Sequence, residues 1–373
     1  MVTYNKLGVK KIINAAGTYT KYSGSLMKAE VLAAMKAASK QFVDIDQLLS
    51  KSGEYIADLL GVEAALITAG AAAGLALSTA ACIAGDNKYI SRQLPLSEGL
   101  KNEFILMKSH RNPYDQAVIT AGGKFVEIGN AIETFGWELE GAISEKTAGV
   151  FFFVQSDMFR SSLGLEEVIE ISHRFDLPVI VDAAAELPPV ENLTKFVELG
   201  ADIVLFSGGK DLRGPQSSGL MLGKRDLLNK CRSNGYPNHA LGRPMKLDKE
   251  TIIGLTTAIE LYLKEDQNKR REQWQKQAEY IYENLKNTAG FKIELGYPDQ
   301  PLTQPATIPR LFILVDKEIL GFTKEELRDM LAQAEPSVIV ESDRKHLLIN
   351  PHMLQPGEEQ IVVEKIKEII EEG

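Results

Sequence analysis

The stretch "DIVLFSGGKDLRGPQSSGLMLG" (residues 202–223) decides the fold. An apolar run ends at Ser207, two glycines and Lys210 follow, the chain turns through Arg213, Gly214 and Pro215, and a second apolar run starts at Gly219. Short apolar runs bounded by turn residues read as buried strands. Lysines most often end in solvent, and that remains one reading of Lys210. The other is an amine set at the exit of a buried strand to form a covalent bond in a pocket.

Upstream the same texture repeats. "AALIT", "FILMK", "KFVEIG", "TAGVFFFVQ" and "PVIVDAA" read as strands. They alternate with helical stretches at "AGAAAGLALSTAACIAG", "AVITAG", "WELEGAI", "LEEVIEISHRFD" and "LTKFVELG", and helical spacing also runs from Met27 to Leu60. Strands alternating with helices predict βαβ units and a mainly parallel sheet. Beyond about Pro244, "KLDKETIIGLTTAIELYLKEDQNKRREQWQKQAEYIYENLKN" predicts one long amphipathic helical stretch. It is followed by "FKIELG", "RLFILVD", a helix at "TKEELRDMLAQA", a hairpin of "SVIVES" with "HLLINP", and a closing helix. The expected organisation is α/β: an N-terminal segment, 1–22, packing across the domains; a large domain, 23–245; and a connecting helix with a small α+β domain, 246–373.

Composition narrows the function classes. The 373 residues carry a net charge of −9, which argues against general nucleic-acid binding, because neutralising phosphates needs surplus Lys and Arg. No apolar run reaches the length of a membrane span. The two cysteines, Cys82 and Cys231, form no C-x-x-C pair and read as reduced thiols of a cytoplasmic protein. His173, His239, His346 and His352 show no metal-ligand spacing, and no metal is expected.

Three places carry chemistry. In "LITAGAAAG" (residues 66–74) a strand ends and small residues open a helix, either a phosphate cup or a tight strand–helix junction. In "VIVDAAAELPP", Asp182 leaves a buried strand, either at a ligand-binding edge or as a turn acceptor. Lys210 is the third. Phosphate cup, strand-end aspartate and strand-end lysine, in that order, are what pyridoxal 5'-phosphate requires. Its phosphate suits a helix N-terminus, its pyridine nitrogen a carboxylate, and its aldehyde an amine.

These motifs, with "SRQLP" (91–95), "KSHRNPYDQAVITAGGKFVEIG" (108–129) and "GRPMKLDKETIIGL" (242–255), resemble the selenocysteine synthase-related group of fold-type-I pyridoxal phosphate enzymes. The "SHRNPYD", "DAAAELPP" and "SGGKDLRGPQ" versions are most similar to the D-glucosaminate-6-phosphate ammonia-lyase branch. The resemblance implies an aspartate aminotransferase-like fold, with Lys210 as the Schiff-base lysine and Asp182 as partner of the pyridine nitrogen. It implies Gly70, Ala71, Ala72 and Ser207 around the cofactor phosphate. His110 is either a ring stacked on the pyridine or a histidine lining a helix start. Arg92, Arg111, Arg213 and Arg243, and more weakly Lys246, are candidates for the substrate's carboxylate and phosphate. The implied reaction converts a phosphorylated amino sugar acid to 2-keto-3-deoxy-6-phosphogluconate and ammonia. Alternatives are a selenium transferase on seryl-tRNA, another lyase or aldolase acting on an amino acid, and a non-catalytic relative that binds a metabolite. Selenocysteine synthase carries an extra N-terminal tRNA-gripping domain, whereas this chain begins almost at the catalytic domain and is acidic. A homodimer or higher even-numbered homo-oligomer is expected, with the site near a subunit boundary.

Overall fold

The computed structural model describes residues 2–154, 162–298 and 305–372. Its contacts divide the chain into two units, a larger one over Ser25–Glu265 and a smaller one over Met1–Gly24, Asp266–Asp299 and Pro305–Gly373. The chain enters through β1 (Ile12–Asn14), which belongs to the smaller unit. It then lays down β2 (Ala64–Thr68), β3 (Glu103–Met107), β4 (Lys124–Ile128), β5 (Thr147–Phe153), β6 (Val179–Asp182), β7 (Ile203–Ser207) and β8 (Gly219–Gly223). These seven form one sheet in the order β2-β8-β7-β6-β5-β3-β4. All neighbours run parallel except β8, which lies antiparallel between β2 and β7. Gln155, the last residue of the apolar run expected as β5, lies outside the described residues.

The uninterrupted apolar runs follow from burial on both faces. Ile203, Val204, Leu205 and Phe206 of β7 are all fully buried. Alternate residues of each strand feed two separate layers. Val204, Phe206, Val181 and Phe152 face one, and Ile203, Leu205, Ile180 and Phe151 the other. Helix Ala71–Ala84 is buried on almost every side, which explains its alanine-rich, nearly uncharged sequence.

The long helical stretch expected after Pro244 is two helices, Lys249–Lys264 and Gln267–Leu285. Glu265 is extended, and Asp266 caps the second helix by accepting from the N–H groups of Asn268 and Lys269. Helix Lys249–Lys264 buries Ile252, Leu255 and Ile259 and packs on helices Ala29–Ala38 and Ile45–Leu60, so it belongs to the larger unit rather than with the C-terminal residues.

The smaller unit holds a four-stranded antiparallel sheet of β9 (Phe291–Gly296), β10 (Arg310–Val315), β12 (Glu341–Ser342) and β13 (Leu347–Ile349). The expected hairpin is only partly formed. β11 (Ser337–Ile339) pairs instead with β1 in parallel, burying Val338 and Ile13 in a core with Leu311, Ile349 and Ile366.

Candidate active site

The parallel strands of the larger unit all point their C-terminal ends at one edge, where open α/β sheets bind ligands. Sheet register brings the three sequence motifs to that edge. Thr68 at the end of β2 pairs with Gly219, and Gly219 pairs on its other side with Ser207 at the end of β7. Asp182 closes β6 opposite Leu205 of β7, so the aspartate and the lysine loop leave neighbouring strands.

Asp182 and Lys210 are each crowded by protein yet keep some accessible surface, as side chains lining a cleft do. Burial pushes the Asp182 carboxyl above its ordinary range, against the opposing effects of the Ala184 N–H and of Lys210. The Ala184 N–H donates to Asp182 Oδ1 at 2.9 Å. Burial likewise pushes Lys210 below the ordinary lysine range, opposed by the negative charges of Asp182 and Glu186. An amine so placed gives up its proton more readily than a surface lysine and is fitted for nucleophilic and basic work.

The lysine loop is pinned from several sides. Gly208 N–H donates to Ser218 C=O at 2.9 Å, Gly214 N–H to Gly208 C=O at 2.8 Å, and Arg213 N–H to Lys210 C=O at 3.0 Å. Ser25 Oγ donates to the Gly209 carbonyl at 3.0 Å. Beside the lysine, the buried Asp211 accepts from the Tyr262 hydroxyl at 2.7 Å, which ties the loop to helix Lys249–Lys264. Asp211, Tyr262, Ser25 and Glu186 went unassigned in the sequence reading. An aspartate directly after the lysine was the available signal for the first, whereas Tyr262 is brought in only by tertiary packing. The two glycines before Lys210 serve the loop itself. A Cβ on Gly208 would collide with the Ser218 side chain, and one on Gly209 would lie 2.6 Å from Gln216 Cα.

Helix Ala71–Ala84 opens at this edge with no side chain capping it, Gly70 standing at the N-cap with φ 85°. Its first N–H groups have no partner inside the helix, and Gly70, Ala71 and Ala72 keep accessible surface. Gly219 lies against this turn. A Cβ there would sit 2.7 Å from the Ala71 nitrogen. An uncapped helix start, backbone pressed close beside it, and a buried carboxylate–amine pair on the adjoining strand ends match the phosphate, ring nitrogen and aldehyde of pyridoxal phosphate.

His110 follows β3 and is fully buried. The Phe153 N–H donates to Nδ1 at 3.1 Å, so the ring proton of the neutral form is on Nε2, which donates to the Ser162 hydroxyl at 3.2 Å. The ring meets Phe152 edge-on at 4.6 Å. Burial lowers its pKa to about 3. With no face open, the imidazole shapes the wall at the end of β5 and is not arranged to stack on a ring in the cleft.

The arginines divide. Arg111 is engaged by two carboxylates, Asp115 at 2.5 Å and Glu127, with its guanidinium over Phe125. These hydrogen bonds hold its pKa above the ordinary value and match its charge within the fold. Arg213, half-buried with φ 54°, lies 3.6 Å from Glu265, which Lys28 also contacts at 3.0 Å. Arg243 is exposed over the Tyr236 ring, and Lys246 is exposed nearby in sequence. Neither has an ion-pair partner among the described residues. Arg92 lies beyond the C-terminal end of helix Ala71–Ala84, whose 14 residues carry the chain about 20 Å from Gly70. The chain then proceeds to Glu103 at the opposite sheet edge, so Arg92 is not gathered with Lys210.

Comparison with known proteins agrees with the geometry. A family model described as L-seryl-tRNA selenium transferase matches residues 12–290. The chain is 30% identical to a D-glucosaminate-6-phosphate ammonia lyase of Salmonella typhimurium, over 99% of this chain and 98% of that protein. It is also 30% identical to a 5'-C-glycyluridine monooxygenase-decarboxylase of a Streptomyces species, over 98% of this chain and 92% of that protein. A solved D-glucosaminate-6-phosphate ammonia-lyase superposes with a TM-score of 0.86 at 30% identity, covering 100% of this chain and 99% of the other.

Proposed function

The chain belongs to the L-seryl-tRNA selenium transferase family of fold-type-I pyridoxal phosphate enzymes, and from that premise we propose that it is an ammonia-lyase acting on D-glucosaminate-6-phosphate or a close 2-amino-2-deoxy sugar acid phosphate. The observation that carries the reading is the Asp182–Lys210 pair at neighbouring strand ends beside the uncapped helix start at Gly70.

When bound, pyridoxal phosphate supplies an electron sink that makes the proton on the amine-bearing carbon acidic. The N–H groups at Gly70, Ala71 and Ala72, with the Ser207 hydroxyl, would receive its phosphate. Asp182 would hold a proton on the ring nitrogen. Lys210 would hold the aldehyde and, when the substrate amine is bound instead, would remove the proton from C2. Arg243 and Arg213, with Lys246, are the cations proposed for the substrate's carboxylate and phosphate. Loss of the C3 hydroxyl as water then leaves an enamine that hydrolyses to 2-keto-3-deoxy-6-phosphogluconate and ammonia.

The test is the visible absorption of the purified protein, recorded while D-glucosaminate-6-phosphate is added and ammonia is counted. A shifting band with ammonia and keto acid accumulating supports cofactor and substrate together. A cofactor band that ignores this sugar acid rejects the substrate, and glycyl-nucleosides come next, since the Streptomyces relative is equally similar. Lys210→Ala should abolish turnover and leave the far-ultraviolet circular dichroism unchanged; turnover at the wild-type rate would remove Lys210 from the mechanism.

A further inference from the structure

The chain leaving β6 carries a second carboxylate, Glu186, to the edge where Lys210 stands, and the mechanism above does not use it. Glu186 lies in the segment by which β6 leaves the sheet. The Ala183 N–H donates to the Leu205 carbonyl at 2.9 Å and lays that segment along β7, the strand that delivers the lysine. The Glu186 N–H then donates to the Ala183 carbonyl at 3.1 Å, turning the chain. Asn192 Nδ2 donates to the Glu186 carbonyl at 2.7 Å and fixes the turn. The side chain is half-buried, and its charge acts on the Lys210 amine along with that of Asp182.

Resting on the elimination proposed above, we propose that Glu186 is the acid that protonates the departing C3 hydroxyl, working with Lys210 as the base at C2. Hydroxide is a poor leaving group, so loss of water calls for a proton donor at the oxygen. Asp182 is committed to the ring nitrogen. Glu186 is the other carboxylate whose charge acts on the amine from this sheet edge, and the proton balance closes through it. The incoming substrate ammonium must shed a proton before its nitrogen can react, and the Glu186 carboxylate receives it. Lys210 takes the C2 proton, and the C2–H electron pair becomes the C2=C3 double bond. The C3–O bond breaks with its pair on oxygen, which takes the Glu186 proton and leaves as water. Glu186 is again a carboxylate beside the Lys210 ammonium, and the pair is ready to return a proton to the product nitrogen as it departs.

The experiment uses the holoenzyme and two variants, Glu186→Gln and Glu186→Asp. Without substrate, the pH midpoint of the bound cofactor's visible band should fall by about one unit in E186Q, because an anion facing the Lys210 nitrogen is lost, and should largely recover in E186D. With the sugar acid, E186Q should lower kcat about 10²–10³-fold with KM within about threefold. With an analogue carrying chloride at C3, which departs without a proton, the E186Q loss should shrink to at most about tenfold, what remains being the lost acceptor for the substrate ammonium's proton. An unmoved midpoint, or an equal loss on both substrates, overturns the assignment and returns both proton transfers to Lys210. Should the wild-type enzyme release no ammonia from the sugar acid, the substrate reading fails, while the substrate-free midpoint still decides whether Glu186 faces Lys210.

Discussion

A histidine with both nitrogens engaged and no exposed surface leaves a signature in the acid limb of stability. The pKa of His110 is lowered in the fold to about 3 against about 6.5 for a free imidazole. Between those values the unfolded chain binds a proton that the folded one does not. Stability is therefore unaffected above the unfolded value and is lost as pH falls below it. Between pH 7 and pH 5 the loss amounts to about 2 kcal/mol. His110→Asn, which can still accept from the Phe153 N–H, should be flatter than wild type by about that amount in urea titrations at the two pH values. The arginines separate by a kinetic measurement. Arg111→Ala should leave KM for the phosphorylated substrate within about twofold and cost about 1–3 kcal/mol of stability, since it strands the buried Asp115 carboxylate. Arg243→Ala should raise KM tenfold or more. At this scale the sequence was legible where a side chain leaves a buried strand, as Asp182 and Lys210 do. It was not legible for Arg111, because Glu127 on β4 reaches that guanidinium through folding alone.

Helices and strands were readable where one apolar texture ran unbroken between turn residues, as in β7 or helix Ala71–Ala84. They were misread where a single polar residue redirected the chain. Asp266 caps a new helix in the middle of a continuous amphipathic pattern, and β11 leaves its expected hairpin because β1 offers a buried partner. The contact between β8 and the helix start is the element-scale feature with the sharpest consequence. Gly219→Ala would set a methyl group against the Ala71 nitrogen, where only backbone is available to move. The expected result is a loss of about 1–3 kcal/mol by thermal or urea unfolding. Cofactor retention after dialysis should fall by more than the stability loss accounts for. A variant that holds its cofactor like the wild type would show that the helix start does not carry the phosphate.

Each of the two units has its own apolar core, and the smaller one draws on the first 24 residues as well as on those from Asp266 onward. The boundary itself was harder to see, because helix Lys249–Lys264 is charged enough to resemble a linker while its buried face belongs with the larger unit. The oligomer anticipated from the family should appear in light scattering as a mass of at least twice 41.1 kDa. A monomer that releases ammonia at full rate would show that the site is complete within one chain.

The antiparallel placement of β8 has a consequence for biosynthesis. The helix start at Gly70 leaves the ribosome early, but the strand that fills the gap between β2 and β7 is made only after Lys210. Tyr262, which steadies the lysine loop through Asp211, is made later still. Domains fold as they emerge from the N-terminus, so a nascent chain halted before Gly219 has the aspartate beside the strand that delivers the lysine but no seam joining either to the helix start at Gly70. Assembly of the edge that gathers the three motifs is thereby deferred until the larger unit has been translated in full.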